Sequence, residues 1–143
     1  MRRFLLDTAV FVYAVGGEHP YRAPCRRLVD LLASGALRGE ASVEVIQEFA
    51  HVRARRGGDR DAAVREARDA AALCTLHEVT RSDLLLALSL FRSLPRLEMR
   101  DAVHAATALE RGVFTIVSSD RAFDDVGGLE RLDPVRAEEV LLG

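Results

Sequence analysis

The chain has 143 residues, 49% of them hydrophobic, with a formal net charge of −2 and a pI near 6.1. That length suits one domain, residues 1–143, around one buried core, and the apolar content excludes wholesale disorder. The charge excludes a general basic field for nucleic acid, so any such binding has to rest on local patches.

Lysine and asparagine are absent, and every cation other than histidine is arginine. The avoided residues share A- or T-rich codons, so a GC-rich genome accounts for the bias. Cys25 and Cys74 lie far apart, outside any CxxC, and read as two reduced core thiols. Arg2 and Arg3 before an apolar stretch to Val15 look superficially like a secretory signal, but Asp7 and Thr8 interrupt it. No stretch approaches the ~20 apolar residues of a membrane helix, so the chain reads as cytoplasmic, with no membrane partner.

Phe4 to Leu6 is a short apolar run, a first strand ending in Asp7. Thr8 starts a helix to Ala14 and is expected to cap it. Gly16, Gly17 and Pro20 mark a loop. Tyr21 to Ala33 has helical spacing (Leu28, Val29, Leu31, Leu32) and stops at Ser34-Gly35. Leu37 to Ala41 is a weak second strand. Ser42 caps a helix to about Arg56, ended by Gly57-Gly58. Asp59 caps an alanine-rich helix reaching about Leu73. Thr75 to Val79 is a third strand. A helix from Thr80 or Ser82 runs through Phe91 and is bounded by Pro95. Arg100 to Arg111 is helical up to Gly112. Phe114 to Ser118 is a strand leading to Asp120, and Glu130 to Leu132 is a last edge strand. The alternation predicts an α/β fold with a mainly parallel sheet between helical layers.

Two of these strands end in an aspartate, Asp7 and Asp120. In parallel sheets ligands gather at the carboxyl ends of strands, so the two carboxylates meet if their strands are neighbours. Either one alone reads better as a helix or turn cap; the pair, joined to the next two acids, reads better as a site. Glu48 lies in the helix after the second strand, where Val45, Ile46, Phe49 and Val52 share a face. At ~100° per residue Glu48 sits about 90° from the centre of that face and Glu44 about 130° away. Glu48 therefore marks the margin of the core, and Glu44 reads as solvated. Asp101 opens its helix, where the dipole favours an acid. Ala102, Ala105 and Ala106 form a small face that lets this helix approach the sheet. His104, one turn on, reads as a surface histidine or one behind the acids.

Leu5-Leu6-Asp7-Thr8, Ala41-Ser42-Val43 through Gln47-Glu48-Phe49, Arg100 through Ala106, and Ser118-Ser119-Asp120-Arg121-Ala122-Phe123 occur in that order. This ordered set resembles the acidic motifs of the PIN-domain family, particularly its VapC toxin branch, from Asp7 to Gly128. The resemblance implies a PIN-like three-layer sandwich and an endoribonuclease needing Mg²⁺ or Mn²⁺. It places Asp7, Glu48, Asp101 and Asp120 as the catalytic, metal-holding acids. Thr8, Ser119 and Asp124 stand at supporting positions, with Ser119 where the family more often has threonine. A homodimer and a small VapB-type antitoxin are implied as well.

The chemistry of the residues agrees. Crowded carboxylates repel one another unless a cation binds. Oxygen-only ligands suit hard ions such as Mg²⁺ or Mn²⁺. Such an ion activates water and stabilises charge at a phosphodiester. A phosphoaspartyl enzyme, a receiver domain and a P-loop ATPase all need a lysine that this chain lacks, and no glycine-rich dinucleotide loop follows the first strand. The non-enzyme alternative is an inert PIN-like module that binds RNA or protein.

Arg53, Arg55 and Arg56 form the densest basic cluster, a candidate for RNA phosphates, and read equally well as a solvated helix end. No aromatic stacking platform is evident, so selectivity is expected to lie in the shape of a folded RNA such as a tRNA or an rRNA loop. Leu84, Leu85, Leu86, Leu88, Leu90 and Phe91 surround one helix almost completely, which predicts cover from a second subunit. The alanine-rich helix offers only Ala63, Val64, Ala67, Ala70 and Ala71 as its apolar stripe. It is expected to pack loosely against its neighbour and leave a shallow groove for a partner helix.

Overall fold

The computed structural model describes residues 2–143. In chain order the elements are β1 (Leu5–Leu6), α1 (Thr8–Val15), α2 (Arg22–Ala33), β2 (Gly39–Ser42), α3 (Val43–Gly57), α4 (Arg60–Ala72), β3 (Cys74–His77), α5 (Arg81–Ser93) and α6 (Met99–Glu110). Then come β4 (Thr115–Val117), a 3₁₀ turn (Arg121–Asp125), β5 (Glu130–Leu132) and α7 (Pro134–Leu142). The five strands form one sheet in the order β3-β2-β1-β4-β5, and every pairing is parallel.

The chain builds outward from β1 to β2 and β3, then crosses back to place β4 on the other side of β1. Leu5 pairs with Ile116 and Leu6 with Val117. These four residues are wholly buried, as parallel strands covered on both faces require. In place of the one buried core expected, the core forms two layers, one on each side of the sheet. Phe4, Leu6 and Val117 pack with Val10, Phe11, Leu28 and Phe49 from α1, α2 and α3. Leu5 and Ile116 pack with the alanine face of α6 and with Phe123 of the 3₁₀ turn. Ala102, Ala105 and Ala106 have no exposed surface, so α6 lies close against the sheet as its small face predicts.

Helix boundaries follow local chemistry. Ser42 accepts from Val45 N and Asp59 from Ala62 N, while Thr80 and Asp83 close a reciprocal capping box on α5. Gly58 ends α3 at φ +69°, where its N–H bonds Ala54 O. At Gly39 the side of β2 is pressed so close that an added Cβ would meet Leu32 Cδ2 and Leu6 Cδ1 at 2.9 Å. Two expectations change. Asp7, not Thr8, caps α1 through its side chain, and α6 begins at Met99, which puts Asp101 inside its first turn. The sequence reading also missed α7, although Asp133 followed by Pro134 is a helix start.

The neighbourhood of α5 is less complete than the fold around it. Ala87 is buried and Leu86 and Leu90 pack inward, but Leu84, Leu85, Leu88 and Phe91 are 44–56% exposed. Both cysteines are free thiols, Cys25 buried and Cys74 half-buried, and burial pushes each pKa up to about 12. Among the described residues no helix is long and apolar enough to cross a membrane.

Candidate active site

The strand order reverses between β1 and β4, and loops leaving adjacent strands in opposite directions open a crevice there. The residues just beyond those two strand ends are Asp7 and Ser118 to Asp120. A cleft of about 360 Å³ lies at this point, lined by Asp7, Glu48, Asp101 and Asp120 together with Thr8, Ser119 and Arg56. Four acids spread over 114 positions of sequence thus meet in one place.

Each acid is held differently. Asp7 is 5% exposed, and its Oδ1 accepts from Thr8 N at 2.8 Å. Its Oδ2 accepts from the Ser118 hydroxyl at 2.7 Å. Asp101 projects from the first turn of α6 and Asp120 caps the 3₁₀ turn by accepting from Ala122 N. Glu48 comes from the middle of α3, where its Oε1 takes the Thr8 hydroxyl at 3.0 Å and faces His104 Nε2 at 3.1 Å. Its Oε2 lies 3.9 Å from Arg100.

Crowding and burial set the charge states. Loss of water raises the Asp7 pKa, the negative charge of Glu48 adds to this, and His104 and Ser118 oppose it. Asp101 is pushed up to about 7, first by burial and then by the charges of Asp7 and Asp120. Burial would raise Glu48 too, but His104, Thr8 and Arg100 outweigh it and its pKa falls. For His104 burial favours the neutral ring, yet Glu48, Asp7 and Asp101 prevail and its pKa rises. Both partners of the His104–Glu48 contact therefore move toward an ion pair.

Asp7, Glu48, Asp101, Asp120, Thr8 and Ser119 come together in the cleft. Asp124 does not, because it turns to Arg131 at 2.9 Å. Of the three clustered arginines only Arg56 lines the cleft; Arg53 is bound to Glu66 at 2.6 Å and Arg55 is solvated. Glu44 lies outside the cleft but is half-buried rather than solvated, lining a separate hollow with Arg81 and Arg100. The sequence reading missed Ser118 as the partner of Asp7, having favoured Ser119. The available signal was a hydroxyl at the last buried position of an apolar strand. It also left His104 open to the surface, whereas the ring has no exposure and its Nδ1 is buried without a partner. Asp7, Asp101 and His104 each bring one potential ligand atom within 4.8 Å of the others.

A family model described as PIN domain matches residues 4–129. Ribonuclease VapC7 of Mycobacterium tuberculosis is 42% identical over 147 aligned positions, covering 96% of each chain. Ribonuclease VapC13 of the same organism is 30% identical, covering 90% of this chain and 98% of that one. Among solved structures, VapC20 of M. tuberculosis, described as a sarcin-ricin loop cleaving toxin, superposes with a TM-score of 0.71 at 22% identity over 87% of this chain and 95% of that one. A VapBC2 complex of Rickettsia felis bound to a promoter DNA fragment gives 0.70 at 16% identity, over 91% and 97%. The structural likenesses carry the fold; the family model and the sequence relatives carry the kinship. The chain belongs to the PIN-domain family, on its VapC branch.

Proposed function

We propose that this protein is a metal-dependent endoribonuclease that acts in the cytoplasm as the toxin of a toxin–antitoxin pair. The observation that carries the reading is the convergence of Asp7, Glu48, Asp101 and Asp120 on one cleft at the β1–β4 crossover. Relatives named as ribonucleases support it.

The donor set fits a hard divalent cation. Asp7 and Asp101 both resist ionisation, and a cation between them would relieve the repulsion that raises their pKa values. Asp7, Asp101 and Asp120 would hold the Mg²⁺ or Mn²⁺, which when bound would supply Lewis acidity at the phosphodiester. Ser118 and the Thr8 backbone N–H fix both oxygens of Asp7. Thr8 and His104 fix Glu48 Oε1, leaving Oε2, 3.9 Å from Arg100, able to accept a proton from a water. Arg100 and Arg56 flank the acids and can take phosphate oxygens on either side of the scissile bond.

Two partner surfaces belong to the same proposal. A second groove of about 480 Å³ runs between the α1–α2 and α3–α4 pairs, floored by Phe11, Ala14, Val29, Phe49 and Leu73 and edged by Asp30 and Asp69. It supports the antitoxin reading, with two differences from expectation. α1 and α2 form its other wall, and Val64 of the alanine-rich helix points to solvent at 47% exposure. An amphipathic helix with a basic flank suits it, and a partner arginine reaching the acids would compete with the cation. The exposed leucines and Phe91 of α5 suit a second copy of the chain.

Cleavage of RNA should require Mg²⁺ or Mn²⁺, stop in EDTA, and fall at least about a hundredfold in Asp7→Asn or Asp101→Asn, as removal of a charge-stabilising group costs. Glu44→Gln should cleave normally. Cutting that persists in EDTA, or that survives Asp7→Asn, removes the mechanism.

In metal-free buffer the raised pKa values of Asp101 and Asp7 mean that the folded state holds protons which the unfolded state has released. Stability should then decline as pH climbs from about 4 through about 7 and stay low above that. Urea titrations in EDTA should show this fall in the parent and a shallower one in Asp101→Asn. Equal slopes would mean that Asp101 is not the titrating group.

Light scattering at micromolar concentration should give a dimer, and Leu85→Ser with Leu88→Ser should give a monomer. A parent that scatters as a monomer rejects the α5 interface. Co-expression with the product of an adjacent small reading frame should suppress cleavage and slow amide exchange in residues 8–33 and 43–73. Protection confined to residues 81–93 would place the partner elsewhere.

A further inference from the structure

The acidic cleft continues past the acids along two helices. Thr8, Ala9, Val12 and Tyr13 of α1 form one wall, and Glu48, Val52 and Arg56 of α3 form the other. At the helical rise Tyr13 lies about 8 Å along α1 from Thr8, and Arg56 about 12 Å along α3 from Glu48. The far end of the cleft therefore carries an aromatic ring and a cation instead of carboxylates. Arg56 is exposed and enters no ion pair among the described residues, unlike Arg53.

Tyr13 does not stand alone. Its ring stacks on His19 with centroids 4.5 Å apart and planes 26° from parallel. His19 in turn lies 5.8 Å from Tyr21 at 15°, and Tyr13 and Tyr21 are 5.3 Å apart. No periodicity joins positions 13, 19 and 21; the α1–α2 loop brings them together, which is why the sequence offered no aromatic platform. The group is locked by hydrogen bonds. Tyr21 N donates to His19 Nδ1 at 3.1 Å, and the Tyr21 hydroxyl donates to Asp133 at 2.6 Å. An accepting Nδ1 leaves the ring hydrogen of neutral His19 on Nε2, which has no partner among the described residues. His19 is exposed to solvent. An exposed flat ring, already fixed in orientation and carrying a free donor, loses little entropy when something stacks on it.

We propose that the Tyr13–His19 stack is a subsite for one unpaired nucleobase next to the scissile phosphate, with Arg56 holding the adjoining backbone phosphate. The proposal rests on the ribonuclease reading and names its substrate class: a single-stranded or looped RNA, since bases in a duplex have both faces covered and cannot stack on a side chain. Nε2–H of His19 would meet an acceptor on the base edge or the sugar. The competing explanation is that the rings only pin the α1–α2 loop, in which case their removal changes stability and leaves RNA preference alone.

The test uses the full chain carrying Asp7→Asn, so that RNA survives, and two probes of equal length: a hairpin with 2-aminopurine in its loop and a blunt duplex. The hairpin should bind more tightly than the duplex, and binding should quench the 2-aminopurine emission. His19→Ala, at an exposed position, should weaken hairpin binding by about tenfold, the scale of one stacked base, and abolish the quench. His19→Phe should restore both. Arg56→Gln should weaken hairpin binding and lower its salt dependence. Unchanged hairpin affinity in His19→Ala, or equal affinity for hairpin and duplex, overturns the subsite. If the parent cleaves RNA while these variants bind alike, the subsite alone falls. If the parent cleaves nothing and Asp7→Asn binds neither probe, the ribonuclease reading falls with it.

Discussion

The site depends on one pairing: β1 and β4, more than a hundred residues apart in sequence, lie side by side at the centre of the sheet. The pairing continues one step past β1, where Asp7 N bonds Val117 O. That bond sets Asp7 level with the end of β4 and brings the Ser118 hydroxyl to its carboxylate. Apart from Thr115, both strands are apolar because both faces are covered, so the first acids appear only where the strands run out. A buried parallel pair that ends in acids delivers those acids to the crossover crevice whatever the surrounding helices do.

The backbone offsets only part of the electrostatic cost of this convergence. Asp7 caps α1, Asp120 caps the 3₁₀ turn and Asp101 lies in the first turn of α6, so three of the four acids sit at positive helix ends. Glu48, in the middle of α3, has no such end and is stabilised by side chains instead. His104 and the Thr8 hydroxyl serve it, and the result is opposite in sign: its pKa falls while those of Asp7 and Asp101 rise. The close fit of α6 makes this possible, because its alanines let His104 reach Glu48 from a helix with no exposed inner face. Replacing those alanines by larger residues would push His104 and Asp101 outward together.

What was legible in the sequence was whatever local periodicity or capping encodes. The strand-terminal aspartates, the core-margin position of Glu48 and the small face beside Asp101 follow from spacing, and the strand–helix alternation gives the parallel sheet. What was not legible depends on which side chains meet. Ser118 and Ser119 are adjacent hydroxyls, and only the register with β1 decides which reaches Asp7. Thr8 looked like the cap, yet Asp7, one residue earlier and at least as good a cap residue, takes the role by accepting from Thr8 N. Arg53 and Arg56 are equivalent in a basic run until α4 places Glu66 against one of them. The helix α7 was legible and was overlooked.

The arginines complete the electrostatic picture. Arg3, Arg27, Arg53, Arg96, Arg111 and Arg131 are each bound to a carboxylate, so much of the positive charge is internal to the fold. The surface therefore keeps no broad basic field, in line with the net charge of −2. A cleft lined by five acids, Glu98 beside the four already described, repels a phosphodiester, and the repulsion is strongest where catalysis would have to occur. On the ribonuclease reading, attraction has to come from inside the cleft: from a cation among the acids and from Arg56 and Arg100 at its margins. The same carboxylates that repel RNA when bare then create its binding site when neutralised, which ties substrate binding to metal binding through a single set of side chains.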